Sequence, residues 1–257
     1  MNPVRNIKII RYKDGKFDEC DDIVAVEAKL RLYINDEEIL SISTTPSNIR
    51  ELITGFLMTE GILKGEWCPE KISIETDEKE IKAKVILEGF TSLEGKTITS
   101  GCLASVSFIK ELKTKIVDDL KVEAHSLFSL FREFQLKSQL YRETGCVHSA
   151  AIADKDKILF LSEDVGRHNA VDKVIGWALL NKVSFAGKII LVSGRVSSEM
   201  ALKVAKWKIP IIVSRAAPTS LAVELANNVG LTVIGFLRGN RFNVYSNPQR
   251  IGEYEQK

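Results

Sequence analysis

Four short polar stretches in a 257-residue chain each hold arginine: EDVGRHN (Glu163–Asn169), SGRVSSE (Ser193–Glu199), SRAAPTS (Ser214–Ser220) and RGNR (Arg238–Arg241). Lysine is the commoner base overall, yet these stretches use Arg167, Arg195, Arg215, Arg238 and Arg241. A guanidinium fork grips two phosphate oxygens at once, which an ammonium cannot do. Three of the stretches lead into expected helices, where Ser, Thr and Gly leave backbone N–H groups facing outward. Together they predict an anionic ligand carrying more than one phosphate. The plainer alternative is that each arginine caps a sheet edge or pairs with Glu163, Asp164 or Glu199. No stretch has the glycine spacing of a P-loop or of a dinucleotide-binding turn, so ATPase and Rossmann-type readings have no support.

The second chemical resource is sulfur. Cys20, Cys68, Cys102 and Cys146 lie too far apart for a Cys-x-x-Cys knuckle. Each is buried filler or a working thiol. Cys102 stands in TITSGCLASVSF, directly after Gly101, and Ser105 occupies the place where a redox or metal-binding partner would be. Its neighbours Thr99, Ser100 and Gly101 are not those of an apolar strand or helix face. Cys146 and His148 share one strand face and could meet one ligand, or could form a buried, hydrogen-bonded pair. His168 opens a helix beside Arg167, and with Asp164 it is a candidate for shaping the pocket or handling protons. His125 reads as an exposed loop residue.

Elements must position these groups. An apolar fraction of 45%, a charged fraction of 27% and a net charge of +2 describe an ordinary globular protein with no global pull towards nucleic acid or membrane. No signal peptide or membrane span is visible, which predicts a cytoplasmic protein with reduced thiols. Alternation from Val24 to Tyr33 predicts a strand, Asn35-Asp36 a turn, and Ile39–Ser43 a second strand. A helix follows, capped by Ser47 or Asn48, striped by Ile49, Leu52, Ile53, Phe56 and Leu57, and stopped by Gly61. Two more strands lie between Lys71 and Leu87. Residues 1–95 thus form a small strand-rich α+β domain, and 96–125 a linker holding the Cys102 loop and a short helix.

From Ser126, a likewise expected cap, residues 126–257 form an α/β unit. Helix Ser126–Arg142 precedes strands Cys146–Ala153 and Lys157–Ser162, then helix 169–181. Strand 188–193, helix 197–206, strand 209–214, helix 219–228 and strand 231–236 follow. The runs KIILVS, IPIIVS and LTVIGF suit a largely parallel sheet covered by helices on both faces. The arginine stretches then meet at its carboxyl edge, where ligands bind in such sheets.

TGCVHSAA (Thr144–Ala151), EDVGRHNAVDKVIGWAL (Glu163–Leu179), SGRVSSEM (Ser193–Met200), SRAAPTSLAVELA (Ser214–Ala226) and GFLRGNRFNVY (Gly235–Tyr245) occur in this order. With TPSNIRELITGFLMTEGIL (Thr45–Leu63), they resemble the formate dehydrogenase accessory protein family, FdhD/NarQ. The resemblance implies a sulfurtransferase. Such a protein takes persulfide sulfur from a cysteine desulfurase and passes it to the molybdenum or tungsten bis(molybdopterin guanine dinucleotide) cofactor, for use by formate dehydrogenase. It implies a three-layer, cytidine-deaminase-like C-terminal domain and a homodimer. The persulfide-carrying cysteine corresponds to Cys102. The motif for the guanine-dinucleotide cofactor, which is bound as substrate, corresponds to Phe236, Leu237, Arg238, Gly239, Asn240 and Arg241. Arg167, His168, Arg195 and Arg215 are expected to complete that site.

Where the family pattern has a second cysteine, this chain has Ser105, which leaves a single-thiol carrier. A zinc deaminase needs His- or Cys-x-Glu at one helix start and Pro-Cys-x-x-Cys at the next. This chain has His168-Asn169-Ala170 and Arg195-Val196-Ser197-Ser198, a poor zinc donor set. No resident metal is expected. The rival readings are a chaperone that holds the cofactor without transferring sulfur and, less consistent with the residues, a zinc-dependent deaminase. A nucleic-acid partner is not expected, since the arginines have no interleaved aromatics.

Overall fold

The computed structural model describes residues 1–63, 71–77, 80–87 and 115–255. The first strands are β1 (Val4–Lys13) and β2 (Lys16–Ala25), which close a two-stranded hairpin. The turn uses Asp14 and Gly15, with φ of 51° and 82°, the left-handed conformations that tight hairpins require. Sequence periodicity places nothing before Val24, because both strands are dense in charge. It also runs a single strand through to Tyr33, whereas the structure breaks it. Val26 N–H donates to Pro3 O at 2.8 Å and closes the hairpin, and β3 (Ala28–Ile34) begins afresh.

β3 pairs antiparallel with β4 (Glu37–Thr44) across the expected Asn35-Asp36 turn. Helix α1 (Ile49–Thr59) follows, then β5 (Ile72–Thr76) and β6 (Glu80–Val85), giving the order β4-β3-β6-β5. The α1 stripe Leu52, Ile53, Phe56 and Leu57 covers Leu30, Leu32, Ile81 and Val85. Gly61, at φ +70°, ends the helix as expected. Asn48 does precede α1, but its side chain makes no cap: Oδ1 accepts from Ser162 Oγ at 3.0 Å.

Helix α2 (Ala124–Lys137) starts at Glu123 and not at Ser126. The Glu253 carboxylate supplies the cap from far along the chain, accepting from Ala124 N–H at 2.8 and 3.0 Å. Ser138 breaks the expected long helix, and a short α3 (Gln139–Thr144) continues to Gly145. The remaining elements are β7 (His148–Ala153), β8 (Ile158–Asp164), α4 (Arg167–Leu180) and β9 (Ile189–Val192). Then come α5 (Ser198–Lys206), β10 (Ile211–Ser214), α6 (Ser220–Val229), β11 (Thr232–Arg238) and β12 (Arg241–Ser246).

These strands form one sheet in the order β12-β11-β10-β9-β7-β8. It is mixed, which corrects the expectation of a largely parallel sheet. β9, β10 and β11 are parallel, and β7 and β12 run against them. Since β8 is antiparallel to β7, it shares the direction of β9. The ends of β8, β9, β10 and β11 therefore lie along one edge. Helices do cover both faces, unequally: α4, α5 and α6 pack on one, while Leu127, Leu130, Phe131 and Phe134 of α2 pack on the other.

Helix α4 is buried on nearly every side, including Asp172 and Lys173, because it lies between the six-stranded sheet and α1. The two helices cross at glycines. A Cβ on Gly55 would overlap the Asp172 carbonyl, and one on Gly176 would overlap the Glu51 carbonyl. Ions flank the crossing. Lys203 Nζ contacts the Asp172 carboxylate at 2.8 and 2.9 Å, Glu60 Oε1 at 2.6 Å and Thr59 Oγ1 at 2.9 Å. Lys173 Nζ lies 2.6 Å from Asp164 Oδ2 and donates to Thr45 O at 3.0 Å. These contacts tie α1 and the β4–α1 connection to α4 and α5.

Candidate functional site

The carboxyl edge of the six-stranded sheet is organised by hydroxyls. Ser193 and Ser149 exchange two bonds: Ser193 N–H donates to Ser149 O at 3.0 Å, and Ser149 N–H to Ser193 Oγ at 2.9 Å. Ser214 Oγ donates to Gly194 O at 2.6 Å and accepts from Ala216 N–H at 2.9 Å. The β9–α5 and β10–α6 loops are further joined by Val196 N–H to Ala217 O and Thr219 N–H to Val196 O. Ser197 and Thr219 cap α5 and α6 with their side chains, so these hydroxyls occupy helix N–H groups that the sequence reading left free.

On this frame stand the arginines. Arg195, Arg215, Arg238 and Arg241 are exposed and Arg167 is half-buried. None forms a salt bridge with a carboxylate among the described residues. Two of the three acids that could have neutralised them are committed elsewhere. Glu163 accepts from Leu140 N–H, Tyr141 N–H and Ser149 Oγ at 2.8 to 3.0 Å. Asp164 is fully buried, pairs with Lys173 and accepts from Thr44 Oγ1, Thr45 N–H, Gly166 N–H and Asn169 Nδ2. Glu199 lies 3.5 Å from His168 Nε2. The buried Nε of Arg167 has no hydrogen-bond partner.

At the β11–β12 tip, Arg238 and Arg241 face each other as a cross-strand pair. Like charges in that position repel, and no carboxylate among the described residues pairs with either. The tip is built on an unusual backbone: Phe236 holds φ +53°, a left-handed conformation rare for a bulky residue, and its N–H donates to Ala216 O at 3.1 Å. The Arg238 guanidinium sits 5.8 Å from the Phe236 ring centroid. Leu237 is 2% exposed and packs in the core with Ile234 and Ile251. Its side chain therefore faces the core, which leaves its main chain as the part that can meet a ligand.

Beside the edge, α2 and α3 roof a cavity of about 530 Å³. Phe131, Phe134 and Leu136 supply apolar wall, while Cys146, His148, Ser193 and Arg215 bring polar groups. Cys146 and His148 do share one space, as their spacing suggested. Cys146 is exposed, with Sγ 3.6 Å from Thr144 Oγ1, so it is not buried filler. His148 Nδ1 lies 3.5 Å from Ser193 Oγ. Burial, with the fields of Arg167 and Arg195 added and Asp164 opposing, holds the His148 pKa below its ordinary value.

His168 and Asp164 do not line this cavity. Burial, assisted by Lys203 and Arg167, lowers the His168 pKa to about 4, so the ring is neutral at pH 7. Asp164 has every oxygen engaged and holds the β8–α4 turn, so it corrects the suggestion of proton handling. His125 is exposed as expected, but in the first turn of α2 and not in a loop. Cys102 and Ser105 lie outside the described residues. Sequence reasoning missed the cavity itself, which the buried Phe131 and Phe134 back, because a helical apolar stripe looks the same whether it fills a core or also backs a cavity. Among the described residues, no three His, Cys, Asp or Glu side chains gather to hold a metal. No described helix is long and apolar enough to cross a membrane.

A family model described as the FdhD/NarQ family matches residues 25–252. The chain belongs to that family. FdhD/NarQ relatives match along nearly their whole length. The sulfur carrier protein FdhD of Bacillus pumilus is 35% identical over 98% of this chain and 100% of its own. That of Bacillus subtilis is 36% identical over 95% of each. A crystal structure assigned to a formate dehydrogenase accessory protein from Desulfotalea psychrophila matches with TM-score 0.78 and 30% identity. It covers 97% of this chain and 100% of that one.

Proposed function

We propose that this FdhD/NarQ protein is a sulfur carrier for formate dehydrogenase. Cys102 takes the terminal sulfur from the persulfide of a cysteine desulfurase, and the arginine edge holds the bis(molybdopterin guanine dinucleotide) cofactor that receives it. The observation that carries the reading is the set of five edge arginines without a carboxylate partner, beside a cavity with apolar walls. Uncompensated guanidinium groups on a sheet edge suit the pyrophosphates of a dinucleotide, and the cavity beside them, walled in part by the exposed Leu136 and Tyr141, suits its heterocycle. In the sulfur step, the Cys102 thiolate attacks the outer sulfur of the donor persulfide. The donor S–S bond breaks, the donor thiolate leaves, and Cys102–S–SH remains.

The same reading treats the C-terminal domain as cytidine-deaminase-like. It is supported by the strand order β8-β7-β9-β10-β11 with β7 reversed and three helices on one face. Deaminase chemistry does not accompany it, because His168, Arg195 and Ser197–Ser198 stand where zinc ligands would be needed. The working form in this reading is a cytoplasmic homodimer.

The test is intact mass under non-reducing conditions after incubation with a cysteine desulfurase and cysteine. One added sulfur is expected on the wild type and none on Cys102→Ala; an adduct that persists in Cys102→Ala overturns the assignment. Sulfur labelling of the cofactor separates transfer from mere holding. Label that reaches the cofactor equally with wild type and Cys102→Ala identifies a chaperone.

A further inference from the structure

Cys146 reaches the cavity by way of a turn. Helix α3 ends at Thr144, and Gly145, at φ +70°, redirects the chain so that Cys146 joins the cavity lining just before β7. The Thr144 hydroxyl donates to Leu140 O at 2.7 Å, which leaves its oxygen to accept from the Cys146 thiol at 3.6 Å. The thiol is thus oriented by a hydroxyl and still open to solvent, which places it at the rim of the cavity. Cys20, half-buried in β2, does not line this space.

The groups around the thiol suit the exchange of sulfur. Arg215, which has no carboxylate partner among the described residues, lines the same cavity, as do His148 and Ser193. Arg167 stands behind the His148 ring. A Cβ on Gly194 would meet His148 Nδ1 at 3.2 Å and the Arg167 Cβ at 3.5 Å, so the three residues pack together. The buried Nε of Arg167 is a donor that the fold itself leaves unspent. Persulfide exchange proceeds through anionic sulfur, both attacking and leaving, and guanidinium groups along a cavity wall attract anions.

We propose that Cys146 is a second sulfur-carrying thiol, which takes the outer sulfur of the Cys102 persulfide and presents it at the rim of the cavity. The inference rests on the sulfur-carrier reading above and adds a step to it. The Cys146 thiolate attacks the outer sulfur of Cys102–S–SH. A new S–S bond forms at Cys146, the old one breaks, and Cys102 leaves as a thiolate that regains the proton Cys146 gave up. One sulfur moves at an unchanged oxidation level, so no oxidant or reductant is required. Ser105 removes a second thiol from the Cys102 stretch, and Cys146 supplies one at the receiving site.

The test locates the sulfur. The full chain is charged with a cysteine desulfurase and labelled cysteine, alkylated at once to freeze persulfides, and mapped by peptide mass spectrometry. The wild type should carry the added sulfur on Cys102 and Cys146 and none on Cys20. Cys102→Ala should carry none anywhere, and Cys146→Ala should keep it on Cys102. Label passing from Cys146→Ala to the cofactor should slow by about tenfold or more, as loss of a nucleophile that divides one step into two implies. Cys146 is exposed, and an unchanged thermal midpoint verifies the fold of its variant. Sulfur never found on Cys146, sulfur on Cys20 as abundant as on Cys146, or undiminished transfer by Cys146→Ala overturns the relay and leaves Cys102 as the carrier. Wild type without sulfur on any cysteine, or sulfur on Cys146 that persists in Cys102→Ala, overturns the Cys102 assignment and the relay together.

Discussion

The edge arginines do their work by having no partner. A protein surface normally interleaves acids with bases, and here Glu163 and Asp164 lie close in sequence yet spend their oxygens on α3 and Lys173. The positive charge at the edge is thus kept for something else. Replacing Arg238 or Arg241 by alanine should lower guanine nucleotide affinity about tenfold, the usual worth of a charge-assisted contact. Titration calorimetry with GDP reads this directly, and unchanged affinity would make the pair structural. His168 gives a second prediction. Its folded pKa of about 4 lies below the ordinary 6.5, so between these values the unfolded chain binds more protons. Stability should be level above pH 6.5 and fall towards pH 4, by at most roughly 1.4 kcal/mol per pH unit from this group. Denaturant melts of the wild type and His168→Asn should differ in slope only within that window.

The arginines were legible in the sequence because four loops repeated one residue type. The roles of Lys173 and Lys203 were not, since a lysine within a helix pattern reads as solvent-facing. Only the position of α1 buries them.

At the scale of elements, the α1–α4 crossing is the joint on which the architecture turns. Both glycines at the crossing let backbone meet backbone, so a methyl group there must part the helices. Gly55→Ala and Gly176→Ala should each destabilise by about 2 to 4 kcal/mol, the cost of overpacking where only main chain can yield. Urea unfolding measures it, and a loss below about 0.5 kcal/mol would show that the crossing adjusts. Lys203→Met should cost about 3 kcal/mol or more, because it strands Asp172 and Glu60 without their shared cation. Element types in the C-terminal half were largely readable, since continuous apolar runs fit only covered strands. Element ends were less so. The start of α2 is set by Glu253, more than a hundred residues away, and no local pattern carries that. The β1–β2 hairpin escaped periodicity altogether, because charged residues fall on both faces of each strand and blur the alternation.

At the scale of the whole molecule, the α1–α4 joint makes the small sheet and the large one a single cooperative body. Equilibrium unfolding should show one transition, with Trp177 and Trp207 fluorescence tracking far-UV circular dichroism. Two separated transitions would mean that the sheets fold independently. Helix α4 links that joint to the ligand edge, because the rod whose middle is clamped at Asp172 and Gly176 begins at Arg167. An enzyme that closes on its cargo needs a hinge, and here the hinge position is filled by main-chain contact and buried ions. The edge therefore behaves as a fixed gauge. In the proposed reading it admits what already fits, and a cofactor too large to enter whole would dock by its nucleotide arm, leaving its reactive end outside.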